Sequence, residues 1–193
     1  MILVYTEYNN GQFSKKSLEA LSYAKALSDK VVALAINAGD TTDLQTYGAE
    51  KILTVTSDKL THFSVKNYVA LLLQVAQKEQ VTTILLPSSA NTRYLAPVLA
   101  VKWGGAYLSN VSSLPKDGKV QRVVFSSKAI AWVPLQAKQV ITLAGNATEI
   151  KQAPVQAVVE AFTPELSEDN IKEVGTEKFT NKVSIEEASI VVS

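Results

Sequence analysis

The sequence predicts an α/β fold: an open, mostly parallel sheet flanked by helices, with an antiparallel extension. Three observations predict it. Short continuous apolar runs recur at residues 2–5, 31–36, 51–55 and 81–86. Longer stretches with apolar residues at helical spacing separate them. After residue 107 the runs become short and the polar breaks between them close up. Four βα units in succession imply right-handed crossovers and a parallel sheet. Short runs with tight polar breaks imply antiparallel strands.

Each element has its own signal. Ile2-Leu3-Val4-Tyr5 reads as a buried strand, and Asn9-Asn10-Gly11 as the turn after it. Ser14 is placed to cap a helix, with Phe13 and Leu18 as a hydrophobic staple across the cap. Leu18, Leu21, Ala24 and Leu27 carry that helix's apolar face. Val31–Ile36 is the second strand, 37–43 a polar loop, 47–49 the end of a short helical turn, and Lys51–Val55 the third strand. Phe63, Ser64 and Tyr68 repeat the staple and cap, and Tyr68, Leu71, Leu72, Val75 and Ala76 form the next stripe. Residues 81–86 form the fourth strand, apolar enough to be buried on both faces.

The helix at 91–102 contains Pro97, which fits best in a first turn, so its start is expected near Tyr94. Gly104-Gly105 reads as its stop. Residues 120–126, Ala129–Pro134 and Gln139–Leu143 read as antiparallel strands, and 155–162 as a further strand. Residues 163–182 are polar and charged and read as a linker. Ser184 and Glu187 fit a capping box, and residues 190–192 begin an apolar strand. The expected organisation is a domain at 1–162, a linker at 163–183 and the start of another domain at 184–193.

Composition removes several function classes. The 193 residues include no Cys, which excludes disulfides, thiolate metal sites and a Cys nucleophile. Nineteen basic and eighteen acidic residues give a net charge of +1, so no global field draws the chain to nucleic acid or an anionic membrane. No basic region precedes the first apolar run, and no Arg-rich transit segment is present, so the expected location is cytoplasmic. The lone His62 cannot build a multi-His metal site or complete a Ser-His-Asp set, which leaves neither a metal nor a catalytic centre in view.

The candidate binding residues are Ser88, Ser89, Asn91, Thr92 and Arg93, in the loop between the fourth strand and the next helix. Hydroxyls, amides and a guanidinium at a helix N-terminus suit a phosphate, although loops at this place often do no more than cap the helix. Glu7, Asp40 and Asp43 lie near strand ends, where α/β folds bind ligands, but plain solvation explains them more simply. Trp103 and Trp132 are either packing residues or stacking rings.

Several phrases then add up to a family resemblance. Ile2-Leu3-Val4 through Glu7 to Gly11, followed by Tyr47-Gly48-Ala49-Glu50-Lys51-Ile52-Leu53, resembles the opening of the electron transfer flavoprotein alpha subunit. Arg93-Tyr94-Leu95-Ala96-Pro97-Val98-Leu99-Ala100, then Ser109-Asn110-Val111, is similar to that family's fourth-helix signature. Ile185-Glu186-Glu187-Ala188-Ser189-Ile190-Val191-Val192-Ser193 resembles the phrase that in the family runs into Gly-Gly-Arg-Gly and opens the second domain. The resemblance covers essentially the whole chain.

The resemblance implies an adenine-nucleotide-hydrolase-like N-terminal domain that acts as scaffold and subunit interface. It implies a beta-subunit partner, which in these heterodimers carries the AMP. FAD would be held mostly by the alpha C-terminal domain, and would take electrons from dehydrogenases to a quinone reductase or another acceptor. This reading makes the chain an electron-carrier part, not an enzyme. The alternative is a stand-alone nucleotide-binding domain resembling universal stress proteins, which would want a Gly-rich phosphate loop. A small hydrolase would need a nucleophile–base pair. There are two departures. Thr92 and Tyr94 stand where the family usually has Gly and Asp, which weighs against a ligand pocket at that loop. Ala144-Gly145-Asn146 stands where the family tends to have an Arg.

Overall fold

In the computed structural model the described residues are 1–169, 174, 175 and 192. The parallel part of the sheet is built from β1 (Ile2–Tyr5), β4 (Val31–Ile36), β5 (Lys51–Val55), β6 (Thr83–Leu86), β10 (Gln139–Leu143) and β11 (Val158–Ala161). It continues into β7 (Ala106–Val111), β8 (Lys119–Val124) and β9 (Ala129–Pro134). The nine strands run in the order β11-β5-β4-β1-β6-β10-β7-β8-β9. All pairs from β11 to β7 are parallel, and β7–β8 and β8–β9 are antiparallel. The expected mostly parallel sheet with an antiparallel extension is therefore present.

Strand alternation gives each face its own core. From β1, Leu3 and Tyr5 face one side and Ile2 and Val4 the other. The first side is covered by α3 (Val65–Lys78) and α4 (Ala90–Trp103), with Leu71, Leu72, Leu95 and Leu99 fully buried. The second side is covered by α1 (Lys15–Leu27) and the short α2 (Thr42–Thr46), through Leu21, Tyr23 and Leu44. Two-sided covering is what continuous apolar strands require. Asn10 and Gly11, at φ 52° and 82°, close a two-residue hairpin between β2 (Tyr8–Asn9) and β3 (Gln12–Phe13). Those dihedrals suit a primed turn, so the Asn-Gly signal is a hairpin in the structure.

The caps form where the sequence places them. Ser14 Oγ accepts from the Ser17 amide at 3.2 Å and Ser64 Oγ from the Asn67 amide at 3.4 Å. Gly104 ends α4 in the left-handed conformation at φ 69°. Two expectations are corrected. Gln139–Leu143 is not antiparallel: β10 lies between β6 and β7 and is parallel to both. All five of its residues are buried, as an interior strand demands, and the β8–β9 hairpin is an excursion before the chain returns to the sheet. α4 starts at Ala90, not near Tyr94, so Pro97 stands inside the helix. The Ser89 cap fixes the earlier start, and both Pro97 and Arg93, whose carbonyl loses its partner, are on the exposed face.

Residues 163–169 run along α3. Gln74 and Glu165 exchange two hydrogen bonds, at 2.8 and 2.9 Å. Lys59 and Lys66 donate to the carbonyls of Leu166 and Glu168, and Phe162 and Leu166 pack on the α3 core. The rest of the expected linker lies outside the described residues, apart from 174 and 175. So do the 184–187 capping box and the 190–192 strand, apart from the exposed Val192.

The edge strand β11 is fastened by charge. Lys51 Nζ lies 2.7 Å from Glu79 and 2.9 Å from Glu160, and Lys78 pairs with Glu160. Hydrogen bonds from Lys78 and Lys51 hold the Glu160 carboxyl down to about 2. A depressed carboxyl stabilises above its usual range and loses that effect as pH falls through the folded value. Glu160→Gln is therefore expected to melt below wild type at neutral pH. The gap should close between pH 4.5 and about 2 in a pH series of thermal melts.

Candidate functional site

The chain leaves β1 for β4 on one side and later reaches β6 on the other. The crevice at the carboxyl ends of β1 and β6 is the switch point of the sheet, the place where open α/β sheets bind ligands. A cleft of about 450 Å³ opens there, lined by Tyr5, Glu7, Tyr8, Asn37, Phe63 and Tyr68 among others. A second hollow of about 570 Å³ adjoins it across Glu7 and Ser89 and reaches Phe13, Lys16 and Asp43.

Glu7 sits between the starts of two helices. Its amide donates to Ser17 Oγ in the first turn of α1 at 2.8 Å, and its carboxylate accepts from the Ser89 hydroxyl, the cap of α4, at 2.6 Å. Burial raises the carboxyl pKa, while the Ser89 hydrogen bond and the charge of Lys16 oppose the rise. Three rings stack edge to face beside it: Tyr5 and Tyr68 have centroids 6.0 Å apart, and Phe63 and Tyr68 5.1 Å. Burial and the nearby Glu7 charge push the Tyr68 phenol up to about 12. The same causes, with Tyr68 added, raise Tyr5 well above its ordinary value.

The five candidate residues divide. Ser89 and Thr92 form a reciprocal cap: Thr92 N donates to Ser89 Oγ at 3.2 Å, and Ser89 N to Thr92 Oγ1 at 3.1 Å. Thr92 Oγ1 also donates to the Pro87 carbonyl at 2.7 Å and is 1% exposed, so it is closed to a ligand. Asn91 and Ser89 line the cleft; Ser88 and Arg93 are not among its lining residues. Arg93 points from the exposed face of α4. Asp40 accepts from the Thr42 amide and hydroxyl, which lowers its pKa, and it serves the start of α2. His62 is exposed. Trp103 carries the Lys138 ammonium 4.8 Å over its ring, and Trp132 is 49% exposed on β9.

Sequence reasoning missed the aromatic wall and the central place of Glu7. The one available signal was an acid two residues beyond the first strand, beside Tyr5 and Tyr8.

At the start of α4 the Ser89 hydroxyl caps the Thr92 amide and itself donates to the Glu7 carboxylate, so this helix start is closed by the chain's own side chains. Among the described residues, no group of three or more His, Asp or Glu is placed to hold a metal ion. No helix among them is long and apolar enough to cross a membrane.

Two variants probe this arrangement. Ser89→Ala removes a cap and the donor to Glu7, and is expected to lower the unfolding free energy by about 1 kcal/mol in urea titrations. The raised Glu7 carboxyl contributes stability that is complete below pH 4.5 and lost as pH rises through the folded value. Glu7→Gln keeps an acceptor for Ser89. It is expected to melt above wild type at neutral pH and to lose that advantage toward pH 4.5.

Comparisons with known proteins agree with the fold. Residues 2–167 match the family described as the electron transfer flavoprotein domain. Three curated relatives are each named electron transfer flavoprotein subunit alpha. The Clostridium acetobutylicum protein is 26% identical over 123 residues, covering 60% of this chain and 37% of that protein. The Syntrophomonas wolfei protein is 25% identical, covering 98% of this chain and 63% of the relative. The Mycobacterium leprae protein is 26% identical, with 99% and 63% covered. This chain thus spans between about a third and two thirds of the length of these relatives. With the family match extending over 2–167, the chain belongs to the electron transfer flavoprotein domain family.

Proposed function

We propose that this chain is the N-terminal scaffold and subunit-contact domain of an alpha-type electron transfer flavoprotein. In this reading it has no catalytic site of its own. Its partner is a beta subunit. The FAD is held by the part of the alpha-type protein that this chain does not span. The assembled carrier takes electrons from dehydrogenases to a quinone reductase or another acceptor, in the cytoplasm. The division proposed is a domain at 1–162, a linker at 163–183 and the start of the flavin domain at 184–193.

One observation carries the scaffold reading. The antiparallel hairpin leaves large apolar side chains in solvent: Phe125 is 77% exposed, Ile130 60% and Trp132 49%. They stand on β8–β9 and its turn, away from both packed faces of the parallel sheet. Grouped exposed apolar residues of this kind mark a contact surface, and aromatics are frequent anchors in one. The universal-stress-protein-like alternative is less well supported, since the family match over residues 2–167 is to the electron transfer flavoprotein domain.

The purified chain is expected to show no visible flavin absorbance, and stoichiometric bound FAD would refute the assignment. Trp132→Ala, tested by pull-down and titration against the beta-type partner, is expected to weaken association by roughly thirty-fold, about 2 kcal/mol. The melting temperature of the isolated chain should barely move. A large loss of stability with pairing intact would place Trp132 in the domain's own packing and remove this surface.

A further inference from the structure

The charges of this chain are sorted by place. Between Glu79 and Glu149 stand seven basic residues and one acid, Asp117, a net charge of +6 in a chain whose total is +1. Around the parallel sheet several lysines have carboxylate partners: Lys25 with Asp29, Lys51 and Lys78 with Glu160, and Lys59 with Glu168. On the hairpin, Lys116, Lys119 and Lys128 are exposed, and none of them has a carboxylate partner among the described residues.

The strand register sets these cations beside the exposed apolar groups. Lys119 pairs with Pro134, Gln121 with Trp132 and Val123 with Ile130. Directly opposed residues of an antiparallel pair share a face, and so do alternate residues along a strand. One face of the hairpin therefore carries Val123, Ile130, Trp132 and Pro134, with Lys119 at the end away from the turn. The other face carries Val120 and Val133, which pack on the core. At the turn, Lys128 Nζ lies 5.7 Å over the Phe125 ring. Beside Trp132 a notch of about 350 Å³ is lined by Lys116, Asp117 and Lys119. An apolar centre with a polar rim is the anatomy of a protein contact surface, and this rim is mostly positive.

We propose that the hairpin docks an acidic protein face, one that lays apolar groups on Ile130 and Trp132 and sets a carboxylate in the notch between Lys116 and Lys119. The inference rests on the subunit-contact reading and adds the chemistry of the partner. A second copy of this chain does not suit the face, because a two-fold contact would set the same lysines against one another. A nucleic acid suits it less well than a protein, because the centre of the face is aliphatic and aromatic and its cations stand at the rim.

The beta-type subunit is the probe, with association and dissociation rates measured separately by surface plasmon resonance over a salt series. Rim charges act on the association rate, and buried anchors on the dissociation rate. Association is expected to slow about tenfold or more between about 0.05 and about 0.5 M NaCl, with dissociation nearly constant. Lys119→Glu combined with Lys128→Glu should slow association at low salt by roughly tenfold and flatten the salt dependence. The matching pair of Gln substitutions should fall between that variant and wild type. Neither lysine has an ion pair to lose, so these variants should melt as wild type does. Lys30→Glu, before β4 and far along the sheet from the hairpin, is the control and should leave both rates unchanged. A salt-independent association rate would overturn this inference. So would a double Glu variant that associates as fast as wild type while Trp132→Ala still weakens binding, and the contact reading would then stand. Trp132→Ala without effect would overturn the contact reading and this inference together. Charge-dependent binding to a polythymidylate strand or to phosphatidylserine vesicles, in place of the subunit, would also overturn it by giving the face to an anion of another class.

Discussion

β1 is buried on both faces, and the other elements are arranged around that constraint. Leu3 and Val4 are both 0% exposed and point to opposite sides. A strand of this kind requires helices above and below, and parallel neighbours whose crossovers supply them. β4 and β6 provide the neighbours. α1 crosses to β4 on one face, while α3 and α4 cover the other. Because the chain winds outward from β1 in both directions, the helix starts that follow β1 and β6 converge at one end of the sheet. The cleft is the place where they converge.

Convergent helix starts present unpaired amides and positive potential. Part of this is satisfied internally. Ser14 and Ser89 cap the two helices, and Glu7 brings a carboxylate onto the second cap. Burial penalises that carboxylate, and the Ser89 hydroxyl and Lys16 offset only part of the penalty. Tyr5 and Tyr68 share the cost, since the same charge also discourages their ionisation.

Much of the fold was legible because its signals are local. Ser14, Ser64 and Gly104 announce helix ends through chemistry that acts within four residues. The runs at 2–5 and 31–36 are apolar at every position, as a doubly covered strand must be. β10 was misjudged because pairing direction is not a local property. Its apolar run resembles that of β1, but its place between β6 and β7 is set by the return of the chain after the hairpin. The start of α4 was misplaced for a related reason. Pro97 argues for a late start, and the Ser89–Thr92 reciprocal cap outweighs it. The candidate loop lies between β6 and α4, and its Ser89 and Thr92 hydroxyls serve the helix end, with Ser89 also donating to Glu7, eighty-two residues away in sequence. A contact at that separation leaves no periodicity to read.

The two ends of this sheet differ in how far their own side chains satisfy them. At the β1/β6 end, the Ser14 and Ser89 caps and the Ser89–Glu7 hydrogen bond satisfy polar groups from within the chain. At the β8–β9 end the reverse holds. The hairpin is joined to the sheet through the Val111–Arg122 pair, the Ser112 amide donating to the Gln121 carbonyl at 2.9 Å and Arg122 Nε donating to the Ser109 carbonyl at 2.6 Å, with Val120 buried at its base. Beyond that base, Phe125, Ile130 and Trp132 stand exposed. The outer part of the hairpin gains little from its own burial, which favours a role outside the domain. The rigid half of the sheet then fixes where the hairpin projects. Contact surfaces carried on a scaffold of this kind depend on that fixed direction more than on their own stability.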